Sequence, residues 1–116
     1  MITVAFAKQL HSILIDEYGG AKGLRDIAAL EAALAIPFAT FDQQDLYFTP
    51  LEKAAALLES LIINHPFIDG NKRIAYTLMR YLLLENGQDI SSDEQTKYDM
   101  VIAASTGVMR YDDILN

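Results

Sequence analysis

The chain has 116 residues, so a single domain over residues 1–116 is expected, with roughly two-thirds of its unfolded surface buried on folding. Its 52% hydrophobic content is enough to offset the conformational entropy of a compact fold, and its net charge of −7 opposes the phosphate tracking on which nucleic-acid binding depends. No uninterrupted apolar run reaches the roughly 18 residues of a membrane span, and the absence of cysteine excludes disulfides and thiolate metal sites.

The N-terminus has no basic region leading into an apolar core and a cleavage site, which with the missing cysteines fits a soluble protein of the reducing cytoplasm. Residues 3 to 18 form the first predicted helix. Thr3 can cap it, apolar residues recur at Val4, Phe6, Leu10, Ile13, Leu14 and Ile15, and Gly19-Gly20 stops it. His11 reads as a surface residue of this helix. Asp26 can cap a short alanine-rich helix to about Ile36, which Pro37 ends. Phe38 to Phe48 is aromatic and mixed polar without a helical period, and reads as a loop or short hairpin. Phe41, Tyr47 and Phe48 are open between core and flap.

Thr49-Pro50-Leu51-Glu52 combines capping-box spacing with proline in the first turn and starts a helix from 50 to about 64. Leu51, Ala54, Ala55, Leu58, Leu61 and Ile62 are its candidate core face. A further helix is expected from about Gly70 to Asn86, stopped by Gly87. Ile74, Ala75, Leu78, Met79, Leu82, Leu83 and Leu84 surround it almost completely, so it should be the buried central helix. Ser91 or Ser92 can cap another helix to about Ser105, and Asp112-Asp113 can begin a last one that Asn116 cuts short. There is no internal repeat or linker. The expected fold class is all-α, with one short flap.

The connection His65-Pro66-Phe67-Ile68-Asp69-Gly70-Asn71-Lys72-Arg73 places a histidine, an aspartate and two cations between two apolar helices. Gly70 permits close backbone approach, and the free N–H groups of the first helical turn, about Gly70 to Arg73, make an anion site. Lys72 and Arg73 add full charges there, although cations at a helix N-terminus oppose its dipole. Asp69 can ligate a hard cation such as magnesium that neutralises phosphate charge. His65 can accept a proton near neutral pH. Each residue also has an ordinary structural reading. His65 before a proline fits a helix end, Asp69 fits a helix cap, and Lys72 and Arg73 fit a solvated first turn. Arg80 fits a pair with Glu52 or Glu59, or a further contact to nucleotide.

This segment resembles the motif of the Fic superfamily: histidine, proline, phenylalanine, any residue, an acid, glycine, asparagine, glycine, arginine. Lys72 replaces the second glycine, and Tyr76 stands where adenylyl-transferring members carry another arginine. Both departures match the Doc, or death-on-curing, branch, as do Tyr18-Gly19-Gly20, Gly23-Leu24-Arg25-Asp26 and Glu85-Asn86-Gly87, so the resemblance spans about residues 9 to 107. It implies a Fic/Doc helical bundle with a target-binding flap at about 38–48. His65 is then the base, with Lys72 and Arg73 assisting catalysis. Asp69 is the magnesium ligand, Gly70, Asn71, Lys72 and Arg73 are the phosphate binders, and Phe67 anchors the loop.

The implied activity is transfer of the γ-phosphate of ATP to a hydroxyl of a protein, elongation factor Tu in this branch, with translation and growth arrest as the outcome. An adenylyl transferase or an inactive binding module are the alternatives. Fic proteins restrained in cis carry a serine or threonine four residues before a glutamate that is followed by glycine or asparagine. Here the one glutamate so followed is Glu85, and Tyr81 stands four residues before it. A separate antitoxin of Phd type is therefore the expected partner.

Overall fold

The computed structural model of the protein describes residues 2–88. Among them are four α-helices, α1 (Val4–Tyr18), α2 (Ile27–Ala35), α3 (Pro50–Asn64) and α4 (Asn71–Glu85). A 3-10 turn at Ile36–Phe38 follows α2 and leads into a two-stranded hairpin, β1 (Thr40–Phe41) and β2 (Gln44–Asp45). The family-type helical fold with a small flap is thus present. The helices expected after Ser91 or Ser92 and from Asp112-Asp113 lie outside the described residues.

Three helices begin where local chemistry dictates. The Thr3 hydroxyl accepts from Phe6 N–H at 3.1 Å, and the Asp26 carboxylate from Ala29 N–H at 3.1 Å. Thr49 and Glu52 close a reciprocal capping box at 3.0 and 3.1 Å, with Pro50 at the first helical position. A cap of this kind is worth about 0.5–2 kcal/mol.

The extended contact between α3 and α4 is the centre of the fold, with α2 and the 3-10 turn packed on α3 and α1 packed on α4. Leu57, Leu58 and Leu61 of α3 are buried with Ile74, Leu78, Leu82 and Leu83 of α4, and with Leu30 and Leu34 of α2. Each such side chain stabilises the fold by about 1.5–3 kcal/mol on burial. Two expectations need correction. Leu51, on the expected core face of α3, is exposed, because it lies in the first turn before α3 meets its neighbours. Helix α4 is central but not apolar on all sides: Lys72, Arg73, Arg80 and Leu84 face outward, and one face carries the packing.

Candidate active site

The connection between α3 and α4 is shaped by what ends the first helix. His65 takes a left-handed conformation (φ 51°, ψ 54°) as the C-cap of α3, and its N–H still bonds to Leu61 O at 3.2 Å. Pro66 disfavours the helical region for the residue before it, so the chain turns out at His65. The carbonyls left at the helix end are taken up by one side chain. Arg25 donates from Nε to His65 O at 2.6 Å and from Nη2 to Asn64 O at 2.7 Å. These are charge-assisted bonds, and they complement the negative pole of α3.

The residues before α2 then run beside the turn. Pro66 O accepts from the N–H groups of Arg25 and Asp26 at 2.8 and 3.1 Å, Ile68 N–H donates to Gly23 O at 3.0 Å, and Leu24 pairs with Phe67 across an isolated bridge. Gly23 to Asp26 thus holds the outer edge of the loop. The inner edge is held by Asn71, whose side chain accepts from Phe67 N–H and donates to Phe67 O, both at 2.9 Å. Both groups are buried, and the Phe67 ring lies in the core as expected of an anchor.

Asp69 projects from the far end of the turn. Its Oδ2 accepts from Ala21 N–H at 3.1 Å and its Oδ1 from Gly70 N–H at 2.8 Å. These two bonds, Ala21 first, lower the carboxyl pKa below its usual 3.8; desolvation works weakly against them and the neighbouring His11 adds to them. The group is therefore an exposed carboxylate at neutral pH. Gly20 permits this fit, since it sits at φ +119° and a Cβ there would fall 2.8 Å from Asp69 Oδ2.

Gly70, at φ 71°, is the N-cap of α4 and brings no capping side chain. The first-turn N–H groups of Asn71, Lys72 and Arg73 therefore stand without a side-chain cap at the positive pole of the helix. Lys72 and Arg73 are exposed beside them, and the Arg73 guanidinium lies over the Tyr18 ring at 4.3 Å. The Asn71 side-chain amide is engaged with Phe67, so the polar group Asn71 leaves at the helix start is its backbone N–H. His65 is exposed, with Nδ1 3.3 Å from Ile62 O. A carbonyl only accepts, so Nδ1 carries the proton in that contact and Nε2 keeps the lone pair a base needs.

Beside Asn64 lies a pocket of about 200 Å³ lined by Ile36, Tyr47, Glu59, Ser60 and Ile63. The flap stands at its rim and is held at its base by Lys53. The Lys53 ammonium donates to Tyr47 O at 2.6 Å and Pro37 O at 3.2 Å, lies 3.7 Å from Asp45, and sits 5.6 Å from the Phe38 ring centre. Phe41 and Phe48 of the flap are exposed, whereas Tyr47 is half-buried.

All the residues singled out in the motif thus fall in one continuous structure, from His65 at the end of α3 to Arg73 in the first turn of α4. Three contributors are missed by the sequence reading. Arg25 and Tyr18 stand in segments that resemble the Doc branch, but their contacts act across long sequence separations and nothing local assigns them a role. His11 is a correction: read as a surface residue, it is 3% exposed, its ring stacked on Phe67. Its position four residues after Ala7 and four before Ile15, both buried, is the signal that could have found it.

A helical bundle with a small flap, in which a histidine, a clamped carboxylate and an uncapped cationic helix start share one interhelical turn, has the form of a Fic-type fold. The Fic/DOC family model matches residues 1–83, and the chain belongs to that family. It is also 43% identical over 76 residues to a protein named Toxin Doc from Mycolicibacterium smegmatis, an alignment that covers 66% of this chain and 58% of that protein. The chain thus spans somewhat less than two-thirds of the length of that curated relative.

Proposed function

We propose that the chain is the toxin of a toxin–antitoxin pair and transfers the γ-phosphate of ATP to a hydroxyl of a protein target. The observation that carries this reading is Lys72. By the motif resemblance it stands where adenylyl-transferring members have glycine, and its charge in the first turn of α4 should obstruct the pyrophosphate position that a glycine leaves open. Arg73 and the uncapped N–H groups of α4 supply the rest of the anion site. His65 Nε2 takes the proton of the acceptor hydroxyl, whose oxygen bonds to the γ-phosphorus as the bond to the β–γ bridging oxygen breaks, leaving ADP.

Asp69 suits magnesium. The described residues contain no group of three or more His, Asp or Glu side chains that could hold a metal by themselves. Magnesium is commonly bound by one or two carboxylates with substrate phosphates and water, and an exposed carboxylate with acceptor capacity beyond its two backbone bonds meets that need. When bound, the ion neutralises phosphate charge. The restraining partner in this reading is an antitoxin of Phd type, and the target is a translation factor such as elongation factor Tu. No helix among the described residues is long and apolar enough to cross a membrane, and a cytoplasmic site of action fits both partners.

Intact-mass and peptide spectrometry of elongation factor Tu incubated with the chain, ATP and magnesium is the test. A single added phosphate, lost in the Lys72→Gly variant, is the expected result. An adenylyl adduct, or no adduct, rejects the phosphotransferase assignment.

A further inference from the structure

His11 is a buried titratable side chain that the proposed mechanism does not use. It lies on α1, 58 residues from its hydrogen-bond partner, and touches the loop at two separate places. Its ring is stacked on Phe67 with centroids 3.9 Å apart and planes within 9° of parallel. Its Nε2 lies 2.7 Å from Asp69 O, a carbonyl that can only accept, so Nε2 is the donor. A Cβ built on Gly70 would come 3.6 Å from that same nitrogen, which puts the start of α4 against the imidazole as well. One rigid group therefore spans the turn from its core anchor to its functional carboxylate.

We propose that His11 is a positioning residue that fixes the peptide plane between Asp69 and Gly70. It thereby sets the aim of the Asp69 carboxylate and of the first N–H groups of α4. The stack alone would secure Phe67, which Asn71 and the core already hold. The Nε2 bond acts on the Asp69 carbonyl, immediately before the glycine where the chain is freest to rotate. Loss of such an outer partner of a metal-binding carboxylate typically weakens metal affinity or activity by about 10–100-fold.

The inference rests on the reading of Asp69 and α4 as the metal and phosphate end of the site, and two variants separate it from that reading. His11→Phe keeps a ring against Phe67 and removes the donor; His11→Gln keeps a donor of similar reach and removes the ring. In His11→Phe without ligand, the amides of Ala21 and Gly70, both bonded to the Asp69 carboxylate, should exchange with solvent about tenfold faster. Calorimetric affinity for ATP with magnesium should fall about tenfold, and in a transfer assay KM for ATP should rise more than kcat falls. His11→Gln should return all three to within about twofold of wild type. Unchanged amide exchange and ATP affinity in His11→Phe overturns the proposal, and so does a His11→Gln variant as defective as His11→Phe. Should His11→Phe not fold, His11→Met supplies the donor-free comparison. A wild-type chain that binds ATP with magnesium but transfers no phosphate rejects the proposed activity and leaves the exchange and binding tests of His11 standing.

Discussion

The turn at 65–70 and the flap at 39–48 are both short connections that flank α3 in the chain, yet they are held by opposite means. Almost every backbone group of the turn is tied to another part of the chain: His65 O and Pro66 O to Arg25 and its neighbour, Phe67 to Asn71, Ile68 N–H to Gly23, Asp69 O to His11. The flap is bonded chiefly to itself, through the Thr40–Asp45 and Phe41–Gln44 pairs and the Leu46 N–H to Ala39 O bond of 3.0 Å, with Lys53 as its fastening to α3. Its aromatic residues Phe41 and Phe48 point into solvent, 74% and 69% exposed. The difference follows from what each must do under the proposed function. Charges that act on a phosphate must be in place before the reaction, since reorganising them during it costs the stabilisation they provide. A surface that meets a protein can complete its contacts when the partner arrives.

The largest effect that would sharpen this contrast is expected from His65→Ala. Transfer should slow by about 10²–10⁴-fold, the usual contribution of a positioned base. Far-ultraviolet circular dichroism should be unchanged, because the ring is exposed and its contact to Ile62 is long. Transfer at the wild-type rate would remove His65 as base. Next in size is Asn71→Ala, which strands the buried N–H and C=O of Phe67. At about 1–3 kcal/mol for each unsatisfied group, a loss of about 2–6 kcal/mol is expected in urea unfolding. A loss below about 1 kcal/mol would show that the turn does not depend on its inner clamp.

How much of this was legible in the sequence depended on the range of the interactions. Thr3, Asp26 and Thr49 act on amides three residues away, so the starts of α1, α2 and α3 could be read from spacing alone. The motif from His65 to Arg73 is contiguous, and its residues stay together in space for the same reason. Arg25 meets His65 across 40 residues, and although each stands in a family-like segment, nothing in either segment announces the contact between them. His11 was misread because a histidine on an amphipathic helix passes for a polar-face residue unless its register with Ala7 and Ile15 is weighed. Helix α4 looked apolar on all sides because its leucines outnumber the core positions; which of them is exposed depends on where α1 and α3 lie. The hairpin register was hidden too, since Asp42-Gln43 is not a dipeptide that signals a tight turn.

A smaller effect is expected on the other side of the contrast, at Lys53. Its ammonium satisfies the carbonyls of Pro37 and Tyr47, so Lys53→Met should free the flap base while keeping the length of the buried stem. The expected cost is about 1–2 kcal/mol, with faster proteolysis confined to residues 39–48 and a severalfold higher KM for the protein acceptor. ATP affinity should not change. A matching loss of ATP affinity would mean that the flap and the turn are held by one network, and the contrast between them would fail.

The smallest expected effect lies at the tip of the hairpin. Asp42 and Gln43 both have positive φ, 54° and 64°, in a two-residue connection between Phe41 and Gln44, the geometry of a type I′ turn. That turn favours glycine at its second central position, and a residue with a Cβ held there is under strain. Gln43→Gly relieves the strain but raises the entropy of the open hairpin, so the net gain should be about 0.5–1 kcal/mol. Because Leu46 N–H bonds to Ala39 O across the ladder, it should exchange about two- to fivefold more slowly in the variant. The Ala21 N–H, bonded to Asp69, reports on the turn and should exchange at the wild-type rate. If both amides slow together, opening of the flap and of the turn is a single cooperative event. The site would then have to be treated as one unit rather than as a fixed anion cradle beside an adaptable flap.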